Sequence, residues 1–289
     1  MSTVVNTAAG HIDVRDVNIS FKAGGTVINA VKSVSLNVQP GEFVSLIGPS
    51  GCGKSTLMNA VAGFTKVDNG ALLLDGKRIR GPGSDRGVVF QQYSLFPWMT
   101  VRKNVEFGLK MQGVSAAKRE TQARTLLGLT GLLAFENHYP SQLSGGMKQR
   151  VGIVRALATS PQVLLMDEPF GALDSQTRSV MQEILTNMWQ RLRLSVLFIT
   201  HDIEEAIFLS DRIYVMTARP GRVKAEIEVP LPRPRKPEMM DNPEFVAMVR
   251  SIKKLIREES LAAMGSELSE GGCEGFSVEI GPDGVRNVL

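Results

Sequence analysis

The chain has 289 residues, of which 43% are hydrophobic and 21% charged, so it is long enough for one large globular domain or two modest ones. Its formal net charge of +4 is spread along the chain without a run of five or six like charges, which gives little support to nucleic acid as a partner. Two cysteines, Cys52 and Cys273, are too few for a disulfide framework or a zinc site, and because no signal peptide or run of eighteen apolar residues is visible we expect a chain that does not cross a membrane by itself.

The N-terminal part of the sequence is typical of antiparallel β-structure. Residues 11–21 and 26–38 alternate apolar and polar side chains on either side of the turn Ala23-Gly24-Gly25. A second strand pair within residues 71–79 turns on Asp75-Gly76. We therefore expect an antiparallel β-subdomain near the N-terminus.

Between these strand pairs, a short apolar run leads into a glycine loop and a helix. Residues 42–47 predict a strand, the loop GPSGCGKS occupies Gly48–Ser55, and residues 54–63 have a helical pattern. The loop fits G-x-x-x-x-G-K-[ST], in which glycines let backbone N–H groups converge on a phosphate. Lys54 can neutralise phosphate oxygens at the helix N-terminus and Ser55 can ligate Mg²⁺; the alternative is a mere turn.

Further along, short apolar strands alternate with helical segments, which predicts a mainly parallel α/β core. The strands are expected at residues 87–90, 163–168, 195–200, 212–216 and 222–229, and the helices between them at about 174–191 and 203–210. The stretch from about 94 to 160 is rich in helix and loop, so we expect an inserted α-helical subdomain there.

The C-terminal part of the chain begins at a segment rich in proline and positive charge, Leu231–Pro237. This boundary predicts one domain over residues 11–230 and an extension over residues 231–289. The extension contains one amphipathic helical pattern at about 242–264 and a glycine- and acid-rich tail. The turn Gly281-Pro282-Asp283-Gly284 in that tail indicates either a small hairpin or a flexible extension.

Two acidic residues directly follow a predicted buried strand. Asp167 and Glu168 come at the carboxyl end of the apolar run VLL, where open parallel sheets place their ligand sites. Two carboxylates in that position need a positive charge to face, and Mg²⁺ with a triphosphate supplies it. We expect Asp167 to hold Mg²⁺ through water and Glu168 to polarise the attacking water; the alternative is a surface acidic pair.

Two further polar residues follow predicted parallel strands. His201 comes at the end of FIT, and Gln91 follows GVVF. Either residue alone would be an ordinary structural or surface side chain. Because both follow strands parallel to the one before Asp167, we expect them at the same edge of the sheet, where the amide of Gln91 could touch Mg²⁺ and water.

A second glycine-rich turn, LSGGMKQR, begins another predicted helix. Ser144 is suited to cap this helix, while Gly145 and Gly146 permit an anion to approach the positive end of the helix dipole. An ordinary capped helix would explain the serine but not the two glycines, which weaken the first turn. The chain therefore has two candidate phosphate loops.

Together these motifs resemble the nucleotide-binding subunit of ATP-binding cassette (ABC) transporters over about residues 11–230. The matching segments, in chain order, are GPSGCGKST, VVFQQ, LSGGMKQR, VLLMDEP, GALD and ITHD. The LSGG motif is decisive, because other P-loop ATPases and kinases lack it. The resemblance implies a P-loop NTPase core that binds ATP and Mg²⁺, hydrolyses ATP and pairs with a second ATPase subunit, either an identical copy or a close paralogue.

The resemblance also implies roles for individual residues. Glu168 would be the catalytic base, His201 the switch that contacts the γ-phosphate, and Gln91 the link from the metal site to the membrane partner. Phe21 would stack on adenine, with a core phenylalanine as the alternative, and Asp174 would communicate across a dimer interface. The turn at Ser144 would close over the γ-phosphate held by the other subunit. The implied nucleotide-binding set is Phe21, Gly48, Ser50, Gly51, Cys52, Gly53, Lys54, Ser55, Thr56, Ser144, Gly145, Gly146 and Asp174, and the implied metal set is Ser55, Gln91 and Asp167.

Residues 81–109 and 200–223 are similar to the importer ATPases for taurine, sulfonates, nitrate or bicarbonate. Such a subunit would work at the cytoplasmic face of the inner membrane, driving an integral membrane permease and, indirectly, a periplasmic or lipoprotein solute-binding protein. We expect the permease to dock near Gln91–Val105, where Phe96-Pro97-Trp98 suits a docking groove; packing within the helical subdomain is the alternative. Because only about fifty residues follow Pro237, we expect no regulatory domain of the kind that sugar-type importers carry.

Three other functions remain open at this point. A soluble ABC protein that acts on ribosomes or DNA usually has two cassettes or a long coiled-coil insertion, and neither is visible. An exporter or lipoprotein-release motor would keep the same motifs. A small-molecule kinase built on the glycine loop alone would leave LSGGMKQR and GALD unexplained.

Overall fold

Two sheets organise the chain in this computed structural model, which describes residues 9–270, 279–281 and 284–286. The strands are β1 (Ile12–Ala23), β2 (Thr26–Val38), β3 (Phe43–Ile47), β4 (Asn69–Leu74), β5 (Lys77–Arg78), β6 (Arg86–Val89), β7 (Val163–Asp167), β8 (Ser195–Ile199), β9 (Arg212–Met216), β10 (Val223–Glu228), β11 (Glu279–Gly281) and β12 (Gly284–Arg286). The α-helices are α1 (Lys54–Ala62), α2 (Val101–Met111), α3 (Ala116–Leu129), α4 (Gly145–Ala158), α5 (Ser175–Leu192), α6 (Ile203–Leu209) and α7 (Pro243–Glu270). Short 3-10 helices cover Leu133–Phe135, Pro140–Gln142 and Pro237–Asp241.

The first sheet is antiparallel and has the strand order β2-β1-β4-β5. β1 and β2 form a long hairpin whose tip, Gly24-Gly25, has positive φ values of 55° and 83°, which glycine adopts without a steric cost. Alternate side chains of β1, such as Ile12 and Val14, are buried, because only one face of the hairpin packs on the core. The predicted antiparallel β-subdomain is confirmed.

The second sheet has the order β10-β9-β3-β8-β7-β6, and all neighbours except β10 and β9 are parallel. Every residue of β3 and β8 is buried, because helices or the first sheet cover both faces. Phe43 and Phe198 pack with α5, α6 and α7 on one face, whereas Val44 and Leu197 pack with α1 and the antiparallel sheet on the other. The α/β fold with a mainly parallel sheet is therefore as predicted.

The inserted helices have a hydrophobic cluster of their own. Val101, Val105 and Leu109 on α2 pack with Leu127 on α3 and Val151 on α4. The hydroxyl of the residue before α2, Thr100, accepts the N–H of Lys103 and so caps that helix. The helical subdomain thus exists as a packed unit, while its limits at about 94 and 160 stay a prediction.

The segment after β10 packs against the core. Phe245, Val249 and Ile252 on α7 belong to the same buried cluster as Phe43 of β3. In the tail, β11 and β12 pair antiparallel, as the hairpin alternative predicts, although the turn residues 282–283 lie outside the described residues. No described helix combines the length and apolar character that crossing a bilayer requires. The boundary between residues 230 and 231 stays a prediction.

Arg235 holds this segment to the end of α6. Arg235 is only 5% exposed, and its guanidinium donates hydrogen bonds to five backbone carbonyl oxygens at 2.6–3.3 Å. Burial lowers the pKa of Arg235 to about 10, and the neighbouring charge of Arg233 acts in the same direction. We expect the guanidinium to be a structural cap for carbonyl groups that have few other donors.

Replacing Arg235 with alanine is expected to reduce the free energy of unfolding by about 3 kcal/mol, because buried carbonyl groups would lose their hydrogen bonds. Urea denaturation followed by circular dichroism measures this loss. The matched control is Arg250→Ala, which removes the same charge from an exposed position on α7. Equal unfolding midpoints for the two variants would contradict the structural role.

Candidate active site

The glycine loop Gly48–Gly53 connects β3 to α1 and presses against β2. Gly51 and Gly53 have φ values of 74° and 97°, in the region that favours glycine. A Cβ atom on Gly53 would lie 2.7 Å from the carbonyl oxygen of Ala30 and 2.9 Å from a methyl group of Val31. The loop can therefore keep this tight path against β2 only with glycine at position 53.

Lys54 begins α1 with its ammonium group turned back into the loop. Its Nζ donates to the carbonyl oxygens of Gly48 and Pro49, both at 2.9 Å, and lies 3.6 Å from Cys52 Sγ. Burial raises the pKa of the Cys52 thiol, so that side chain is held in its neutral form. Lys54 therefore places a positive charge at the centre of the loop. An anionic phosphate could replace one of the carbonyl oxygens that now accept its hydrogen bonds.

Ser55 and Asp167 meet across the gap between α1 and β7. The hydroxyl of Ser55 donates to Asp167 Oδ1 at 2.9 Å. Burial raises the pKa of Asp167 and the hydrogen bond from Ser55 opposes this effect, while the charge of Glu168 raises the pKa further. A hydroxyl and a carboxylate are hard oxygen donors of the kind that Mg²⁺ accepts beside phosphate and water. These two residues therefore fit a magnesium site.

Glu168 is the meeting point of three strand ends. Its Oε2 lies 3.4 Å from Nε2 of Gln91, which follows β6, and 3.1 Å from Nδ1 of His201, which follows β8. Its backbone N–H donates to the carbonyl oxygen of Ile199 at 2.9 Å. The φ of 42° is unusual for a residue with a side chain and costs about 1–2 kcal/mol. Such strain at a carboxylate is typical of a functional site.

The carboxylate and the loop border one open cavity of about 510 Å³. Its lining brings together Lys54, Ser55, Gln91 and Glu168 with Phe21 from β1. Phe21 is 45% exposed, which excludes the alternative of a core phenylalanine; its stacking on adenine stays a prediction. In this structure His201 faces Glu168, and its contact with a γ-phosphate stays a prediction.

Sequence reasoning missed one charged residue of this cavity, Arg219, together with the apolar residues Ile28 and Ala30. Arg219 lies in the turn between β9 and β10, and its Nε donates to the carbonyl oxygen of Gly51 at 3.4 Å. In the sequence, Arg219 stands in the segment Arg219-Pro220-Gly221, whose composition indicates an ordinary turn and not a binding site. Its position beside the glycine loop depends on the neighbouring strands β9 and β3.

The second glycine turn caps α4 and lies away from this cavity. Ser144 is exposed, and its Oγ accepts the N–H of Met147 at 3.4 Å, as predicted for a cap. A Cβ atom on Gly145 would lie 3.0 Å from Tyr93 Oη, and one on Gly146 would lie 2.5 Å from Thr177 Cγ2. Contacts within the chain therefore account for part of the need for glycine, which the sequence alone did not indicate.

Asp174 caps the next helix, α5. Its carboxylate accepts the N–H of Thr177 at 2.9 Å and the hydroxyl of the same residue at 2.7 Å. These hydrogen bonds lower the pKa of Asp174 and keep it ionised. Because Thr177 also packs against Gly146, the segment at Asp174 and the turn at Ser144 are held together on one surface.

The fold and this site define a P-loop nucleotide-binding protein. The chain matches the ABC transporter family over residues 31–171. It is 49% identical over 253 residues to the nitrate import ATP-binding protein NrtD of Synechocystis sp., covering 86% of this chain and 95% of that protein. It is 53% identical over 205 residues to the taurine import ATP-binding protein TauB of Rhizobium johnstonii, covering 71% and 78%.

A solved structure with the same fold is the dimeric ATP-binding cassette MJ0796 in a post-hydrolysis state bound to ADP and Pi. It superposes with a TM-score of 0.69 and 35% identity, over 75% of this chain and 98% of that chain. These similarities show that the chain belongs to the ABC transporter family and is an ATPase of that family.

Proposed function

We propose that this chain is the ATP-hydrolysing subunit of an importer for a small anion, such as nitrate, taurine, another sulfonate or bicarbonate. It works at the cytoplasmic face of the cell membrane, pairs with a second ATPase subunit and drives a separate permease. The observation that carries the proposal is the meeting of Ser55, Asp167, Gln91, Glu168 and His201 beside the glycine loop. The named relatives support the importer class and the anion.

The arrangement can hydrolyse ATP mainly by positioning and charge neutralisation. The backbone N–H groups from Ser50 to Thr56 and the ammonium of Lys54 would hold the phosphates, and Ser55 and Asp167 would hold Mg²⁺. The ion, when bound, neutralises charge that develops on the phosphate oxygens. Glu168 orients the attacking water and accepts its proton, while Gln91 and His201 fix the carboxylate through Oε2.

The second glycine turn completes the site from a second chain. Within one chain, the lining of the nucleotide cavity includes none of residues 143–150. Ser144 is exposed, and the turn offers a helix N-terminus, where the macrodipole favours an anion. In the dimer we propose, Ser144, Gly145 and Gly146 close over the γ-phosphate bound by the partner, with Asp174 at the interface.

The permease docks on an aromatic patch formed by Phe96, Pro97 and Trp98. Trp98 is 70% exposed, whereas Phe96 packs on Phe107 with the ring centroids 4.6 Å apart. Arg155 on α4 donates to the carbonyl oxygen of Ser94 at 2.6 Å, and its guanidinium lies over the ring of Phe96 at 5.6 Å. Phe96 therefore fixes the patch to the helical subdomain, while Trp98 is the side chain that is exposed to a partner. Because Arg155 of α4 contacts this segment, movement of the patch is transmitted to α4.

Replacing Trp98 with alanine is expected to weaken association with the permease at least tenfold, because an exposed tryptophan is a typical energetic centre of an interface. ATP hydrolysis by the isolated subunit should not change. Affinity for the permease in detergent measures the effect. The matched control is Leu261→Ala, another exposed apolar side chain, on α7. Equal permease binding by both variants would place the docking surface elsewhere.

The proposed function as a whole is tested by capture from solubilised membranes. A tagged subunit loaded with ATP should retain an integral membrane protein, and the reconstituted complex should take up nitrate or taurine only when ATP is present inside. The Lys54→Ala variant should abolish uptake. Retention of ribosomes or nucleic acid instead would favour the soluble alternative. Transport of none of nitrate, taurine, other sulfonates and bicarbonate would overturn the substrate assignment.

A further inference from the structure

The turn between β9 and β10 is wedged against the glycine loop. The backbone N–H of Gly221 donates to the carbonyl oxygen of Ala30 at 3.0 Å, and its own carbonyl oxygen accepts the N–H of Lys32 at 2.9 Å. A Cβ atom on Gly221 would overlap the carbonyl oxygen of Cys52. The turn therefore touches both β2 and the glycine loop, with no room to shift toward either.

Arg219 points from this turn into the nucleotide cavity. Arg219 is exposed, and it lines the same cavity as Lys54, Ser55 and Phe21. Within the described part of the chain, the guanidinium has one hydrogen bond, from Nε to the carbonyl oxygen of Gly51. The two terminal amino groups thus remain available to a ligand, and a planar guanidinium is well suited to bind phosphate through two parallel hydrogen bonds.

The C-terminal helix holds the turn in this position. Oε2 of Glu259 on α7 accepts the N–H of Ala218 at 3.1 Å, one residue before Arg219. The same carboxylate pairs through Oε1 with Nζ of Lys224 on β10 at 2.8 Å. One side chain of α7 therefore ties together the start of the turn and the strand that follows it.

We propose that Arg219 is a further nucleotide-binding residue that contacts the phosphate chain of ATP, and that Glu259 is a positioning residue for it. The proposal rests on the proposed nucleotide site and extends it to the C-terminal helix. Residues of the glycine loop hold the phosphates, and Arg219, hydrogen-bonded to Gly51 at the edge of that loop, adds a further positive charge. Any displacement of α7 then changes nucleotide affinity through the backbone of Ala218.

Arg219→Ala is expected to raise the Kd for ATP and ADP about tenfold, because a charge-assisted hydrogen bond to phosphate is lost. Arg222→Ala is the matched control, since it removes the same charge from an exposed residue of the same turn. Titration calorimetry with ATP, ADP and adenosine measures the effect. An equal loss for adenosine would overturn the phosphate contact, and a wild-type Kd for all three ligands would overturn the proposal.

Glu259→Gln is expected to raise the Kd for ATP about threefold, because the amide holds Ala218 and Lys224 less firmly. In the Arg219→Ala background the same change should have no further effect, since the two residues then act through one contact. Additive losses would assign Glu259 a merely structural role and overturn the positioning part. Lys54→Ala is measured in parallel: if it binds ATP as the wild type does, the proposed nucleotide site itself is wrong.

Discussion

Replacing Glu168 with glutamine is expected to leave ATP binding intact and to lower kcat by about 10²–10⁴-fold. Glutamine keeps the size of the side chain but cannot accept the proton of the attacking water. Both partners of Oε2, Gln91 and His201, stay in place, so the geometry around the phosphates changes little. Phosphate release at saturating ATP measures the rate, and calorimetry measures the affinity.

The control for this variant is Glu183→Gln, which neutralises an exposed carboxylate on α5 far along the helix from Asp174. It should hydrolyse ATP at the wild-type rate. If the two ATP-bound subunits associate, the Glu168 variant should also accumulate as a dimer in size-exclusion chromatography when ATP is present. Normal turnover in the Glu168 variant would show that another group activates the water.

Replacing Ser144 with arginine is expected to abolish ATP hydrolysis while ATP binding to the isolated subunit is retained. The exposed turn at Ser144 can tolerate a large side chain within one chain, because it is remote from the cavity lining. In the dimer the same side chain would occupy the space of the partner's γ-phosphate. Loss of turnover without loss of binding is therefore expected for Ser144→Arg if the site is shared between two chains.

Mixing this variant with Lys54→Ala makes the test specific. Each variant alone has no complete site, but a mixed dimer combines the intact glycine loop of the Ser144 variant with the intact turn of the Lys54 variant. Hydrolysis should therefore return on mixing. The control is each variant mixed with an equal amount of itself. Full activity of the Ser144 variant alone, or no recovery at any ratio, would contradict a site formed in trans.

Most strands and the helices that follow them could be predicted because their signals are local, whereas the individual helices within residues 94–140 were not resolved by the pattern. Alternation in residues 11–21 and 26–38, the continuous apolar runs before Gly48 and Asp167, and the glycines of the loop each specify a short conformation without distant partners. The candidate residues could be found in the same way, since Gln91, Glu168 and His201 each follow such a strand. Their individual roles stay predictions implied by the resemblance to ABC transporters, whereas membership of that family is shown by the relatives.

The burial of Arg235 could not be predicted, because LPRPRKP has the composition of a solvent-exposed boundary. Its partners are carbonyl groups at the end of α6 and just after β10, 4–28 residues away. Only the packing of this segment under α6 makes a buried guanidinium favourable there. The sequence shows that an arginine is present, but only its burial shows whether the side chain solubilises the surface or caps backbone carbonyl groups.

The strands, the two glycine turns and the residues at the strand ends can be read from the amino-acid pattern, because they depend on side-chain size and periodicity within a few residues. In contrast, the folded chain was needed to show that Gln91 and His201 share one oxygen of Glu168, and that Arg219 borders the glycine loop. The reason is that such contacts join residues from 33 to 168 positions apart. They depend on the order β9-β3-β8-β7-β6 in the sheet, which no single segment encodes.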